Sequence, residues 1–164
     1  MIACSLHLPQ GGNVNYHEQI SERRTIANRR LAEAALRQYS LSGADLILLS
    51  DAGNLLYKVT VPHDGMVMYH PYLGRMNGQQ MLLRIESTVE ARVATTYAEL
   101  ALLATLLRDT DLALPEPVPA TSGALVPELE MGEGDEACQC VLFRWPDLAF
   151  PEQALGRAAQ FITN

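Results

Sequence analysis

The residues best placed to do chemistry are a cation within a strand and a carboxylate on a helix. Arg84 interrupts the apolar run 81–85, beside Met81, Leu82, Leu83 and Ile85. A guanidinium there is costly to bury unless it is paired or faces a charged ligand. Its planar fork can hold two oxygens of a carboxylate or a phosphate at once, and it keeps its charge. Glu99 falls between Leu103 and Leu106 in angular position on a long helical segment. It therefore borders an apolar sector, a partner is expected, and Arg84 is the candidate. The competing readings are an outward-facing Arg84 and a surface ion pair between Glu99 and Arg92, worth under about 1 kcal/mol.

Other chemistries find less support. The turn Ser50-Asp51-Ala52-Gly53-Asn54 is no glycine-rich phosphate cradle, and no G-x-G-x-x-G or Walker pattern occurs. Its backbone N–H groups, with Asn54 fixing the shape, can still face phosphate, although a plain hairpin turn reads the same way. His63 and His70, with Tyr69 and Tyr72, lie in a polar stretch, 63–79, without metal-ligand spacing. Cys138 and Cys140 make a weak metal site with no His nearby. They are read as facing opposite sides of a strand, hence as reduced thiols in a cytoplasmic protein.

A length of 164 residues suits one domain with a real core. The net charge of −7 speaks against a nucleic-acid binder. The early arginines Arg23, Arg24, Arg29, Arg30 and Arg37 alternate with Glu18, Glu22 and Glu33, as on a solvated helix face. No run approaches the roughly 20 apolar residues of a membrane span, and residues 1–9 make a poor signal peptide.

The elements that would position Arg84 and Glu99 follow from periodicity and turn signals. Residues 1–15 read as a flexible lead-in. A helix is expected over 17–39, with Ile20, Ala27, Leu31, Ala34 and Ala35 on one side and Ser42-Gly43 ending it. Strands are expected at 46–49, 55–61 and 81–85. Ser87 and Glu90 form a capping box for a second helix, whose stripe is Val89, Val93, Tyr97, Leu100, Ala104 and Leu107, ending near Asp109 to Asp111. The segment Pro115-Glu116-Pro117-Val118-Pro119 must be extended. Strands at 124–131 and 137–145 then form a hairpin, and a helix begins near Pro151. The expected fold is α+β: a five-stranded antiparallel sheet, one long covering helix between strands three and four, and an N-terminal helix.

That order, with specific residues in it, resembles the ATP-binding N-terminal lobe of the aminoglycoside phosphotransferase family, a protein-kinase-like fold. Asn54-Leu55-Leu56-Tyr57-Lys58-Val59 resembles its second strand, after the turn over the nucleotide phosphates. Leu82-Leu83-Arg84-Ile85 is similar to the third strand, whose basic residue contacts ATP phosphates. Glu99-Leu100-Ala101-Leu102-Leu103 resembles the helix whose Glu pairs with that base. Pro115 to Pro119 with Gly123 looks like the connector before strand four, and Ala35-Leu36-Arg37-Gln38-Tyr39 like a lead-in. Val141-Leu142-Phe143-Arg144-Trp145 resembles the fifth strand entering the hinge that holds adenine, with Pro146 a departure that removes a donor.

The resemblance implies nucleotide binding by Asn54, Arg84, Glu99, Phe143, Arg144 and Trp145, with ATP as cofactor. It implies a kinase-like N-lobe over 16–150 and, over 151–164, the start of a helix towards a C-lobe missing from this chain. The family's H-x-D loop and magnesium-binding Asp belong to that lobe. None of the four histidines (His7, His17, His63, His70) begins an H-x-D here. The chain alone is therefore expected to hold no catalytic residue and no Mg2+ ligand, and to be inactive. The parent activity implied is transfer of the ATP γ-phosphate to a hydroxyl of an aminoglycoside-, choline- or homoserine-like acceptor. The alternative is a non-catalytic module that self-associates as a homodimer through an apolar patch around Trp145, Leu148 and Phe150. Neither nucleic acid nor membrane is expected as a partner.

Overall fold

A computed structural model of the protein describes residues 16–88, 90–129 and 137–144. The lead-in, the C-terminal helix, the capping-box side chains Ser87 and Glu90, Val89, the Ile20 side chain and Trp145 with the patch beyond it lie outside the described residues and side chains.

Helix α1 (Tyr16–Gln38) is followed by β1 (Asp45–Ser50), β2 (Leu55–Thr60), β3 (Tyr69–His70), β4 (Gly74–Arg75) and β5 (Gln80–Ser87). Then come α2 (Glu90–Asp109), β6 (Glu116–Val118), β7 (Glu128–Leu129) and β8 (Cys138–Arg144). The main sheet is antiparallel throughout, in the order β1-β2-β5-β8-β6, with β7 pairing the other end of β8's outer edge.

Among the described residues it thus has six strands rather than the five expected. Of the expected strand at 124–131, described only as far as 129, Glu128 and Leu129 form β7, and the proline-flanked connector supplies β6. Proline cannot donate to a ladder and is tolerated on an edge strand, which is where Pro117 sits, opposite Phe143.

Strand alternation splits the side chains into two layers. One holds the main core: Tyr57, Val59, Met81, Leu83, Ile85, Cys140 and Leu142 from the sheet meet Ala32, Ala35 and Leu36 of α1 and Tyr39 just beyond it. Cys138 packs against this same layer. The two cysteines therefore share a face, as positions i and i+2 of one strand must, and the expectation of opposite faces is wrong. Burial pushes the Cys140 thiol up to about 12, with the Tyr39 hydroxyl 3.9 Å away, so it is inert near neutral pH.

Helix α1 ends in a Schellman motif rather than at Ser42-Gly43. Leu41 N donates to Leu36 O at 3.0 Å and Ser40 N to Arg37 O at 3.3 Å. Ser40 occupies the left-handed position with φ 56°, which disfavours any side chain. Ser40→Gly is expected to stabilise the protein by about 0.5–1 kcal/mol, partly offset by a floppier unfolded chain. A melting temperature raised by about 2–3 °C would show it; a decrease would contradict this reading of the cap.

The stretch 63–79 is an ordered excursion carrying the β3–β4 hairpin. Asn77 staples it, donating to Pro62 O at 3.0 Å and Met66 O at 3.2 Å and accepting from Met68 N at 3.1 Å. His70 is fully buried, with Nδ1 accepting from Tyr72 N at 3.3 Å. Burial lowers its pKa from 6.5, against a smaller opposing pull from the Pro119 backbone. The neutral ring's contribution is therefore present above about pH 6.5 and lost as pH falls towards the depressed folded-state value. The melting temperature should fall between pH 7.5 and 5.5, and His70→Gln should reduce that fall. An unchanged pH dependence would contradict it.

Candidate functional site

The second layer of the sheet is smaller and far more polar. Leu82, Val141 and Phe143 meet Leu100 and Leu103 of α2 and Val126 in a minor apolar cluster. Beside it Arg84, Glu86 and Gln139 project from β5 and β8, buried under α2. In register, Arg84 lies between Leu56 of β2 and Val141 of β8, at the middle of the sheet.

Arg84 is 2% exposed, and its Nη1 donates to both Glu99 oxygens, at 2.9 and 2.7 Å. The guanidinium carbon stands 5.5 Å from the centroid of the Phe143 ring. The expected partnership of Arg84 and Glu99 therefore forms, and neither competing reading holds. Arg84 does not face outward. Arg92 spends its Nη1 on Asn54 Oδ1, at 2.7 Å, rather than on Glu99. On its remaining edge, Arg84 Nε and Nη2 are buried without hydrogen-bond partners. Groups this polar are rarely left unfilled in a core.

The turn before β2 is gripped from both helices. Asn54 is buried and bonded to Arg92 of α2, while Arg24 of α1 donates to Asp51 O at 3.1 Å and stands 3.4 Å from its carboxylate. Gly53 takes φ 87°, the left-handed value such a turn needs.

Phe143 and Arg144 belong to the strand expected at 137–145. Both lie inside β8, in register with β5 on one side and β6 on the other. The Phe143 ring packs under α2, and Arg144 pairs with Glu116 at 3.2 Å. The sheet thus brings Asn54, Arg84, Glu99 and Phe143 to one layer, and Arg144 to its β6 edge.

Periodicity missed part of the site. Glu86 Oε1 accepts from Gln139 Nε2 at 2.9 Å and from the hydroxyl of Thr96, and Glu86 Oε2 stands 3.8 Å from Arg84 Nε. The pattern Arg84-Ile85-Glu86, two charges two apart in an apolar strand, was the available signal. The α2 stripe is also turned: Thr96, Leu100 and Leu103 face the sheet, whereas Tyr97 and Ala104 are exposed.

No family model and no curated protein matches the sequence. Solved structures do match. The microcompartment-associated aminopropanol kinase is 26% identical with a TM-score of 0.54, covering 79% of this chain and 33% of that one. An amicoumacin kinase in complex with AMP-PNP, Ca2+ and Ami is 16% identical with a TM-score of 0.53, covering 80% and 34%.

The chain has a kinase-like fold.

It spans about a third of the length of these two small-molecule kinases. Within the kinase-like fold, the Arg84–Glu99 bridge ties the covering helix to the sheet, and the Asn54–Arg92 bond ties that helix to the β1–β2 turn. Among the described residues, no helix is long and apolar enough to cross a membrane, and no group of three His, Cys, Asp or Glu side chains could hold a metal ion.

Proposed function

We propose that this chain is the ATP-binding lobe of a small-molecule kinase that transfers the γ-phosphate to a hydroxyl of an aminoglycoside-, choline- or homoserine-like acceptor. One observation carries the reading: a buried guanidinium saturated on one side by a helix carboxylate and unfilled on the other. Such an edge offers directional N–H donors to phosphate oxygens in a low-dielectric setting, where they act strongly. The likeness to two small-molecule kinases supports it. Asn54, held by Arg92, shapes the turn nearest the phosphates, and backbone groups around 143–145 are assigned to the adenine.

Phosphoryl transfer also requires a group that positions the acceptor hydroxyl and carboxylates that hold magnesium. The 164 residues contain no H-x-D, and we assign both roles to a further lobe. Bound ATP supplies the transferred group. This chain's own residues bind and orient it: Arg84 fixes phosphate, and Glu99 keeps Arg84 in place.

A thermal-shift titration tests the binding role. ATP should raise the melting temperature of the wild type and leave that of Arg84→Ala unmoved, with Arg84→Lys showing a reduced rise, because a point charge cannot replace the fork. Equal rises in all three would remove Arg84 from the site.

A second reading, a non-catalytic self-associating module, draws on one observation: α2 exposes Tyr97 at 54% and Leu102 at 59%. Light scattering across a concentration series separates the two. A dimer lost on Leu102→Glu favours association, and a monomer that binds ATP favours the lobe.

A further inference from the structure

Resting on the nucleotide reading above, we infer that Glu86 is a positioning residue that restrains Arg84 and sets how tightly the site grips phosphate. Arg84 and Glu86 are neighbours on one face of β5, and both side chains are almost wholly buried, at 3% and 6% exposure. Glu86 Oε1 is fully occupied by the Thr96 hydroxyl and the Gln139 amide. Those two donors fix the carboxylate so that Oε2 stands 3.8 Å from Arg84 Nε, too far for a hydrogen bond but close enough for strong attraction. Arg84 therefore lies between two carboxylates. Glu99 takes Nη1, and Glu86 flanks the edge that has no partner.

One guanidinium between two carboxylates leaves the cluster with an excess of negative charge. A phosphate held near Arg84 is attracted by its charge and repelled by that of Glu86. Glu86 thus weakens the hold on phosphate without touching the base or the sugar. A structural role alone predicts the opposite pattern, namely lost stability with nucleotide preference unchanged.

Glu86→Gln separates these. The amide oxygen still accepts from Thr96 and Gln139, so the change removes charge and little else. Titration of the full chain with ATP and, separately, with adenosine should show ATP binding tightened about tenfold and adenosine binding unaltered. Glu86→Asp, which retains the charge, should show no such gain, and the uncharged Glu86→Met should repeat it. If Arg84→Ala abolishes ATP binding but neither neutral variant tightens it, the inference about Glu86 falls and the nucleotide reading stands. If ATP binds no differently from adenosine in the wild type, both fall. Failure of both neutral variants to fold would make the Glu86 charge structural and overturn the inference.

Discussion

Arg84→Ala is expected to lower the unfolding free energy by about 3–5 kcal/mol, the usual range for removing one partner of a buried ion pair. The loss falls on Glu86, which is 7% exposed and keeps its Thr96 and Gln139 donors but has no counter-charge left. Glu99→Ala should cost markedly less. Glu99 is a third exposed, so water already shares its charge, and Arg84 retains Glu86 at 3.8 Å. The order Arg84→Ala well above Glu99→Ala, read from urea unfolding midpoints, is the prediction. Equal small effects would mean that the bridge behaves as an exposed surface pair.

Leu142→Ala should be as damaging through different physics. Leu142 is fully buried at the crossing of Leu83 on β5 and Val118 on β6, facing the α1 layer. Its removal leaves a cavity that a six-stranded sheet cannot collapse around, and about 3–5 kcal/mol is expected. With typical domains stable by about 5–15 kcal/mol, that consumes much of the margin. Leu102→Ala, on the exposed side of α2, should shift the unfolding midpoint very little. A matching effect at the two positions would contradict the assignment of the two layers.

The helices, the three strands β1, β2 and β5, and β8 were legible because each is an apolar run or stripe bounded by a turn signal. The pairing of Arg84 with Glu99 was legible because an unpartnered cation in such a run is expensive. What escaped did so for definable reasons. Pro117 disguised β6 as a connector, since only edge placement makes proline compatible with a ladder. The sheet-facing side of α2 includes Thr96, whose burial is balanced by a hydrogen bond to Glu86, and hydrophobic periodicity cannot register such a polar anchor. The first helix is capped at Ser40, in the left-handed conformation, ahead of the Ser42-Gly43 signal read as its end. The excursion 63–79 is stapled by the Asn77 amide, through bonds to backbone atoms up to 15 residues away.

Phosphorus NMR of ATP in the presence of the chain tests the central claim most directly, because it reports on the group that Arg84 is said to hold. The account predicts shifted or broadened phosphate resonances with the wild type, stronger with Glu86→Gln and absent with Arg84→Ala. Resonances that change equally with Arg84→Ala, or that never change, would contradict it.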